Sequence, residues 1–254
     1  MYSHRIFPVT DRRKKLRNYF KKHDKFMERK NIFKLLEKKI RDINLSHPAR
    51  VAIDGVDGSG KTVFADDLAD HLKRTKRQII RASIDKFHNA KQVRYQKGEY
   101  SPEGYYFGSF DNRALIDNLL EPLGSNGPME YRKGIFDYMS DKESDSSPEK
   151  AQKDSILIFD GIFLFRPELF SFWDLKIFLD VPFEITLERV RKRTKDKKYL
   201  GTDSNITDKY EKRYIPGQKL YFKNANPKEK ADIAINNSDF DDPVVERMPS
   251  QELA

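Results

Sequence analysis

Short apolar runs alternate with amphipathic stretches over most of the chain. Runs with the length of β-strands occupy residues 50–54, 78–83, 155–160, 175–180 and 231–236. Between them lie stretches with helical spacing, such as Phe64, Leu68 and Leu72, and the segment Asp111–Leu120. Continuous apolar strands separated by helices are typical of a parallel sheet covered on both faces. The pattern therefore predicts an α/β fold with three layers, whereas the polar segment 140–154 is predicted to be a surface loop poor in regular structure.

The pattern divides the chain into three parts: an N-terminal extension (1–47), a main domain (48–240) and a C-terminal tail (241–254). Within the extension, apolar residues recur at helical spacing from Arg29 to Ile43. We expect this helix to dock on the main domain with its basic face in solvent. Two alternatives remain open, namely that the extension binds an anionic partner such as a membrane or RNA, and that it is disordered.

Charge changes this picture in one respect. The net charge of the 254-residue chain is +9, but residues 1–47 carry 15 Lys and Arg against 5 Asp and Glu, a net charge of +10. The excess therefore belongs to the extension, and nucleic acid or an anionic surface is expected to bind there if anywhere. The composition says nothing of the oligomeric state.

Composition also excludes several classes of site. The chain has no cysteine, which excludes disulfides, thiolate nucleophiles and cysteine-based metal sites. It has no apolar run of about 18 residues that would span a membrane. No apolar stretch follows the N-terminal charges as in a signal peptide, so we expect a cytoplasmic protein.

The segment GVDGSGKT, Gly55–Thr62, matches the phosphate-binding pattern G-x-x-x-x-G-K-[ST] between a predicted strand and a predicted helix. Its glycines let successive backbone N–H groups turn towards phosphate oxygens, and the helix adds its positive N-terminal end. Lys61 can reach the β- and γ-phosphates, and Thr62 can place its hydroxyl on Mg²⁺. The sequence thus predicts a site for a nucleoside triphosphate such as ATP with Mg²⁺, formed by Gly55, Asp57, Gly58, Ser59, Gly60, Lys61 and Thr62.

Two carboxylates follow predicted strands. Asp160 ends an apolar strand about a hundred residues after the phosphate loop, the position of an acid that organises the metal, and we assign it to Mg²⁺ together with Thr62. Asp85 ends the second strand, at the sheet edge where ligands of parallel sheets bind. It could accept the proton of a hydroxyl that attacks the γ-phosphate, or it could instead cap a helix.

A basic run, Glu188–Lys198, ends the helix after the fourth strand and holds seven cations and two acids. Such a run is usually a solvated helix face. Phosphoryl transfer, however, needs positive charge that closes over the transferring group. Arg189 and Arg193 are four residues apart and share a face, so we predict that they act as catalytic arginines of a lid.

A small-molecule kinase fits these features better than other nucleotide-binding proteins do. The chain lacks an Asn-Lys-x-Asp-type segment that would read a guanine base. A motor or helicase usually needs a second large domain.

The order of these motifs resembles that of the phosphoribulokinase/uridine kinase family, most closely its bacterial-type uridine kinase-like branch. The resemblance covers roughly residues 48–240. The matching segments are Gly55–Thr62, Ile84–Phe87, Tyr100–Tyr106, Leu119–Gly124, Phe159–Phe165, Asp174–Asp180, Arg213–Tyr221 and Asn226–Ile233.

The resemblance implies a P-loop kinase fold, Mg·ATP as donor and a hydroxyl-bearing small molecule as acceptor. It implies that Asp85 is the base and that Asp160-Gly161 replaces the family's Glu-Gly. It also places Phe136, Asp137 and Tyr138 in an acceptor pocket, to which we add Tyr105 as a candidate, although aromatic side chains there could equally be ordinary core. The chain departs from the family pattern at Lys86, at His88, in the aromatic order of 136–138 and at Gly108–Asp111. These departures fall on acceptor recognition.

The sequence therefore predicts an ATP-dependent kinase that phosphorylates a hydroxyl of a nucleoside, uridine-like, or of a related sugar-bearing metabolite. The alternative is a nucleotide-dependent protein that is associated with RNA or a membrane and acts through its basic extension. A nucleotide sensor that has lost catalysis is a third reading, which the intact Lys61, Asp85 and Asp160 disfavour.

Overall fold

A six-stranded sheet with helices on both faces forms the centre of the computed structural model, which describes residues 29–144, 146–192 and 202–248. The strands are β1 (Ala49–Gly55), β2 (Ile79–Ser83), β3 (Glu130–Tyr131), β4 (Phe136–Asp137), β5 (Lys142–Glu143), β6 (Glu149–Lys150), β7 (Ile156–Gly161), β8 (Leu175–Asp180), β9 (Ile233–Asn236) and β10 (Val244–Arg247). The order in the central sheet is β10-β9-β8-β1-β7-β2.

The α-helices of the described residues are α1 (Arg29–Asp42), α2 (Lys61–Leu72), α3 (Lys91–Arg94), α4 (Pro102–Gly108), α5 (Asn112–Leu115), α6 (Pro167–Phe170), α7 (Phe183–Lys192), α8 (Asp203–Lys209), α9 (Ile215–Ala225) and α10 (Pro227–Lys230). Wider π-helical turns at 116–120 and 210–214 extend α5 and α8 at their C-terminal ends. Short 3₁₀ turns lie at 73–75 and 84–86.

The predicted α/β layers are confirmed. The five predicted strands occur within two residues of their expected bounds and pair in parallel. The sixth strand, β10, was not predicted, and it pairs antiparallel with β9 at one edge of the sheet. Its four residues are not buried, so it lacks the continuous apolar run that identified the other strands.

The helix α1 packs on the sheet through one apolar face. Its buried side chains Ile32, Phe33, Leu36 and Ile40 join a core with α2 and with one face of the sheet. Polar contacts also connect α1 to the end of α2, because the Glu37 carboxylate lies 2.9 Å from the His71 ring and 2.7 Å from the guanidinium of Arg74, in the 3₁₀ turn that follows α2. The expected docking of this helix is therefore observed. The division of the chain at residues 47 and 240 stays a prediction, since α1 and β10 both lie on the central sheet.

The segment predicted to be poor in regular structure is partly ordered. In it, β5 pairs with β4 and β6 pairs with β3 as two short antiparallel ladders. The sequence pattern did not predict this pairing, because β5 and β6 carry exposed charged side chains and no apolar residues.

The described residues contain no helix that combines the length and the apolar character needed to cross a membrane.

Candidate active site

The carboxyl ends of β1, β2 and β7 meet at one edge of the sheet and enclose a cavity of about 200 Å³. Because these strands are parallel neighbours, the residues that follow them are brought together although they are far apart in the sequence. The predicted site residues that line this cavity are Asp57, Gly58, Gly60, Lys61, Thr62, Asp85, Tyr105, Tyr138 and Asp160.

The loop between β1 and α2 has the backbone geometry of a phosphate cradle. Gly58 and Gly60 adopt φ angles of +79° and +91°, which L side chains rarely adopt. The Asn237 side-chain amide donates to the Ser59 carbonyl at 2.7 Å, and the Arg189 guanidinium donates to the Gly58 carbonyl at 3.3 Å. These donors hold the carbonyls away from the cavity, and the loop leads directly into α2, whose N-terminal amides favour anions.

The two side chains that follow the cradle carry complementary chemistry. The Lys61 ammonium donates to the Val56 carbonyl at 2.8 Å, so it lies along the loop where it can exchange this partner for phosphate oxygens. The Thr62 hydroxyl donates to the Asp160 carboxylate at 2.8 Å. A hydroxyl and a carboxylate that converge beside a phosphate cradle are the oxygen ligands that Mg²⁺ prefers, and the residues present therefore fit that ion.

Asp160 is buried on β7, and a cation compensates its charge. The guanidinium of Arg81 lies 2.8 Å from one carboxylate oxygen of Asp160, and it also reaches Asp66 on α2 at 2.8 Å. This ion pair offsets the cost of burying the Asp160 charge near the end of the strand.

Asp85 lies in the 3₁₀ turn that follows β2 and lines the cavity. The cap of this turn is Ser83, whose hydroxyl accepts a hydrogen bond from the Asp85 backbone N–H at 3.4 Å. Capping of this turn is therefore not the role of Asp85. The His88 ring contacts the Asp85 carbonyl at 3.1 Å and stacks on Tyr138 with 5.0 Å between ring centroids. A carboxylate and a stacked aromatic pair thus share one end of the cavity.

Tyr105 joins the phosphate loop to the opposite wall of the cavity. Its hydroxyl donates to the Asp57 carboxylate at 2.5 Å, and its ring meets that of Tyr214 edge-on at 4.8 Å. Burial, together with the nearby Asp57 carboxylate, raises the pKa of Tyr105 well above its ordinary value. The side chain of Gln218 completes this contact, since it accepts from the Asp57 N–H at 3.0 Å.

Asp54 is a buried acid directly behind the phosphate loop. It accepts hydrogen bonds from the backbone N–H of Gly55 at 2.6 Å, from that of Leu164 at 3.1 Å, and from the Tyr221 hydroxyl. Burial raises the pKa of Asp54 to about 6, and these hydrogen bonds limit the rise. The charge on this residue therefore depends on pH near neutrality.

Several predicted site residues lie elsewhere. Phe136 lines a neighbouring groove, and the Asp137 carboxylate accepts from the Met139 N–H at 3.1 Å and the Ser140 hydroxyl at 2.9 Å. These bonds hold the pKa of Asp137 below its usual value. Gly55 and Ser59 belong to the phosphate loop but do not line the cavity, and Ser59 is fully buried.

Of the two predicted lid arginines, only Arg189 lies within the described residues. Arg189 does not line the cavity. It binds the carbonyls of Gly58, Asn237 and Ser238, so it lies against the outer side of the phosphate loop. Arg193 lies outside the described residues, and its role stays a prediction.

Three contacts around the site were not predicted. Arg81 compensates Asp160, Gln218 binds Asp57, and Asn237 holds the Ser59 carbonyl. Asn237 follows β9 directly, and a polar residue immediately after a parallel strand is a signal that could have identified it. Gln218 lies within a segment that resembles the family, but its partner is 161 residues away, so no local pattern connects them.

Comparisons with known proteins agree with this geometry. A uridine kinase of Bacillus mycoides (strain KBAB4) is 28% identical over 167 residues, which cover 64% of this chain and 74% of the relative. The solved structure of a possible uridine kinase from Bacillus stearothermophilus superposes with a TM-score of 0.63 at 23% identity, covering 81% of this chain and 97% of that one. A D-glycerate 3-kinase from Cryptococcus neoformans var. grubii shares the fold more distantly, with a TM-score of 0.52 at 18% identity over 74% of this chain and 85% of that one.

A family model described as the cytidylate kinase-like family matches residues 50–239. The match leaves the basic extension outside it, and the alternative in which that extension carries the main function is therefore not favoured. Together with the phosphate cradle and the three-layer sheet, the match shows that this chain belongs to the cytidylate kinase-like family and is a uridine kinase-like P-loop kinase.

Proposed function

We propose that the protein transfers the γ-phosphate of ATP to a hydroxyl group of a nucleoside, uridine-like, or of a related sugar-bearing metabolite. The observation that carries this proposal is the convergence of Lys61, Thr62, Asp160 and Asp85 on one cavity. In this proposal the first three would hold the phosphates and their metal, and Asp85 would supply a carboxylate at the side from which an acceptor approaches.

The roles follow from charge. Backbone N–H groups of the loop and the Lys61 ammonium bind the phosphates and stabilise negative charge as the phosphoryl group moves. Thr62 and Asp160 would hold Mg²⁺, which when bound neutralises charge on the β- and γ-phosphates. Asp85 accepts the proton that the acceptor hydroxyl loses as its oxygen bonds to phosphorus, and the bond from phosphorus to the bridging oxygen of ADP breaks.

Tyr105, Tyr138 and His88 supply the surface on which the acceptor would lie. Their rings line the same cavity as Asp85, and ring faces suit a planar base or the apolar face of a sugar. The stacked pair of His88 and Tyr138 lies where the chain departs from the family pattern, so this pair is the place to look for acceptor specificity. Phe136 and Asp137 form the short strand β4 directly before Tyr138, and they stay predicted acceptor residues.

A screen for acceptor-dependent release of ADP tests the proposal. Purified protein with Mg·ATP would be supplied in turn with pyrimidine and purine nucleosides, sugars, glycerate and sugar phosphates, and the phosphorylated product identified by mass spectrometry. Lys61→Ala is expected to abolish product formation, whereas Lys73→Ala, which alters a lysine whose side chain is 72% exposed at the end of α2, should leave it unchanged. The proposal is wrong if no hydroxyl compound increases ADP release above the rate with ATP alone.

A further inference from the structure

Arg29, at the start of α1, connects the N-terminal helix to the segment that follows β9. Its guanidinium donates to the Phe240 carbonyl at 2.7 Å and to the Asp67 carboxylate on α2 at 2.6 Å. The group also lies 5.5 Å from the ring centre of Phe33 and 5.6 Å from that of Phe64. One side chain thus ties three segments together, with its charge compensated and 19% of the side chain exposed.

The segment that Arg29 holds, residues 237–240, is the outer support of the phosphate loop. At its beginning, Asn237 is fully buried and donates to the Ser59 carbonyl at 2.7 Å. At its end, the Phe240 ring covers Gly60 so closely that a Cβ on Gly60 would lie 2.3 Å from a ring carbon. Arg189 contacts both this segment and the loop: its guanidinium lies 3.8 Å from the centre of the Phe240 ring and donates to the Gly58 carbonyl.

These contacts bear on phosphate binding because they fix the orientation of peptide groups. When the Ser59 carbonyl is held on the outer side by Asn237, the peptide plane is fixed and the next N–H group points to the opposite side. Preorganised N–H groups bind an anion more tightly than groups that must first be ordered, since the cost of ordering is removed from the binding free energy.

We propose that Arg29 is a positioning residue for nucleotide binding: by anchoring the Phe240 carbonyl it holds segment 237–240 against the phosphate loop, so that nucleotide affinity depends on the docked N-terminal helix. The proposal rests on the proposed function above in one respect, namely that the loop binds a nucleoside triphosphate. Arg29 lies outside the matched region 50–239, so the coupling belongs to the extension of this chain.

Linkage makes the coupling reciprocal. If the docked helix strengthens nucleotide binding, bound nucleotide must stabilise the docked helix by the same factor. The extension then acts as a support for the donor site, while the acceptor end of the cavity at Asp85 and Tyr138 lies away from it and is not affected.

The test is the dissociation constant of Mg·ADP, measured by titration calorimetry on the full chain. Arg29→Ala is expected to raise this constant by roughly tenfold, the loss that corresponds to one hydrogen bond from a charged donor. The KM for ATP should rise by a similar factor, whereas the KM for the acceptor and kcat stay as in the wild type. Arg29→Lys keeps one donor for the Phe240 carbonyl and should recover part of the affinity.

Two control variants separate this effect from a general loosening of the helix. Asp67→Asn removes the ion pair of Arg29 but leaves its bond to Phe240. Arg74→Ala removes the ion pair between Glu37, at the middle of α1, and the 3₁₀ turn that follows α2. Both should bind Mg·ADP within about twofold of the wild type. Thermal unfolding of every variant establishes that the titrated protein is folded.

The outcomes are distinguishable from those of the proposed function. If the wild type binds neither Mg·ADP nor Mg·ATP, the proposed function fails. If the wild type binds Mg·ADP and Arg29→Ala binds it equally well, the coupling is wrong while the kinase assignment stands. The coupling is also wrong if Asp67→Asn or Arg74→Ala weakens binding as much as Arg29→Ala, or if Arg29→Lys recovers nothing.

Discussion

The hydroxyl of Thr62 and the carboxylate of Asp160 are joined by a hydrogen bond of 2.8 Å across 98 residues of sequence. The bond connects the first turn of α2 to the end of β7 and lies next to the phosphate loop. The contact between Arg81 and the other oxygen of Asp160 leaves the carboxylate fixed from two sides. This geometry supports the proposal that the two side chains hold Mg²⁺ together.

Removal of the Thr62 hydroxyl tests this pair. In Thr62→Ala the Asp160 side chain remains but one proposed oxygen ligand is lost, so we expect the Mg²⁺ concentration for half-maximal activity to rise by roughly 10- to 100-fold. Thr62→Ser retains the hydroxyl and serves as the matched control, which should stay close to the wild type. An unchanged Mg²⁺ requirement in Thr62→Ala would remove this residue from the metal site.

Replacement of Asp85 by Asn tests its role as the base. The amide cannot accept the proton of the acceptor hydroxyl, so kcat is expected to fall by roughly 10²- to 10⁴-fold while Mg·ATP still binds. Asp117→Asn is the control, because it alters an exposed acid paired with Arg113 on the surface of the same protein. Near-normal turnover in Asp85→Asn would exclude the proposed role.

The buried Asp54 predicts a pH dependence of stability. Its pKa in the folded protein is about 6 against an ordinary 3.8, so the folded state binds the proton more tightly than the unfolded state does. The contribution of Asp54 to the free energy of unfolding therefore falls as pH rises from about 4 to above 6, by about 3 kcal/mol in total. It does not change further at higher pH.

Urea unfolding of the wild type and Asp54→Asn, from pH 4.5 to 7.5, isolates this effect. The contributions of other titrating groups to the pH dependence cancel in the difference between the two proteins. The hydrogen bonds lost in Asp54→Asn add only an offset that does not change with pH. The free energy of unfolding of Asp54→Asn minus that of the wild type should increase with pH over this range. A difference that is flat with pH would show that Asp54 is not protonated in the folded state within this range.

The docking of α1 predicts that its apolar face contributes to global stability. Leu36 is fully buried between this helix and the sheet, so Leu36→Ala should lower the free energy of unfolding by about 2–5 kcal/mol. Lys38→Ala, at an exposed position of the same helix, should change it by less than about 0.5 kcal/mol. Equal effects of the two substitutions in a denaturant titration would contradict the observed docking.

Much of the fold followed from local patterns. The strands β1, β2, β7, β8 and β9 were predicted because strands that are buried on both faces are continuous apolar runs. The helix α1 was predicted because an amphipathic helix repeats its apolar residues every three or four positions. Neither rule applies to β10, which has no buried residue, or to the two-residue strands of 130–150, which are too short to show a periodic pattern.

The candidate site likewise contains residues that local sequence predicted and residues whose positions depend on packing. The phosphate loop was predicted in full because its residues are contiguous and each has a local backbone role. Asp85 and Asp160 were predicted because each was expected at the end of a strand; Asp85 lies in the turn just after β2, and the parallel sheet brings both to one cavity. Phe136 and Arg189 lie outside that cavity. Their positions depend on how β4 and α7 pack against the rest of the fold, which the local sequence does not determine.

The sequence by itself therefore determined the class of protein, since a strand, a glycine-rich loop and a helix in series form a phosphate site whose binding residues are contiguous in the chain. The tertiary structure alone decided which distant groups support that site: Arg81 beside Asp160, Gln218 on Asp57, and Arg29 at Phe240. Such contacts join residues that are far apart in the chain, and their formation depends on burial and on the geometry of packed elements. No local pattern of residue types encodes that information, because each of these side chains is an ordinary polar residue until its partner is in place.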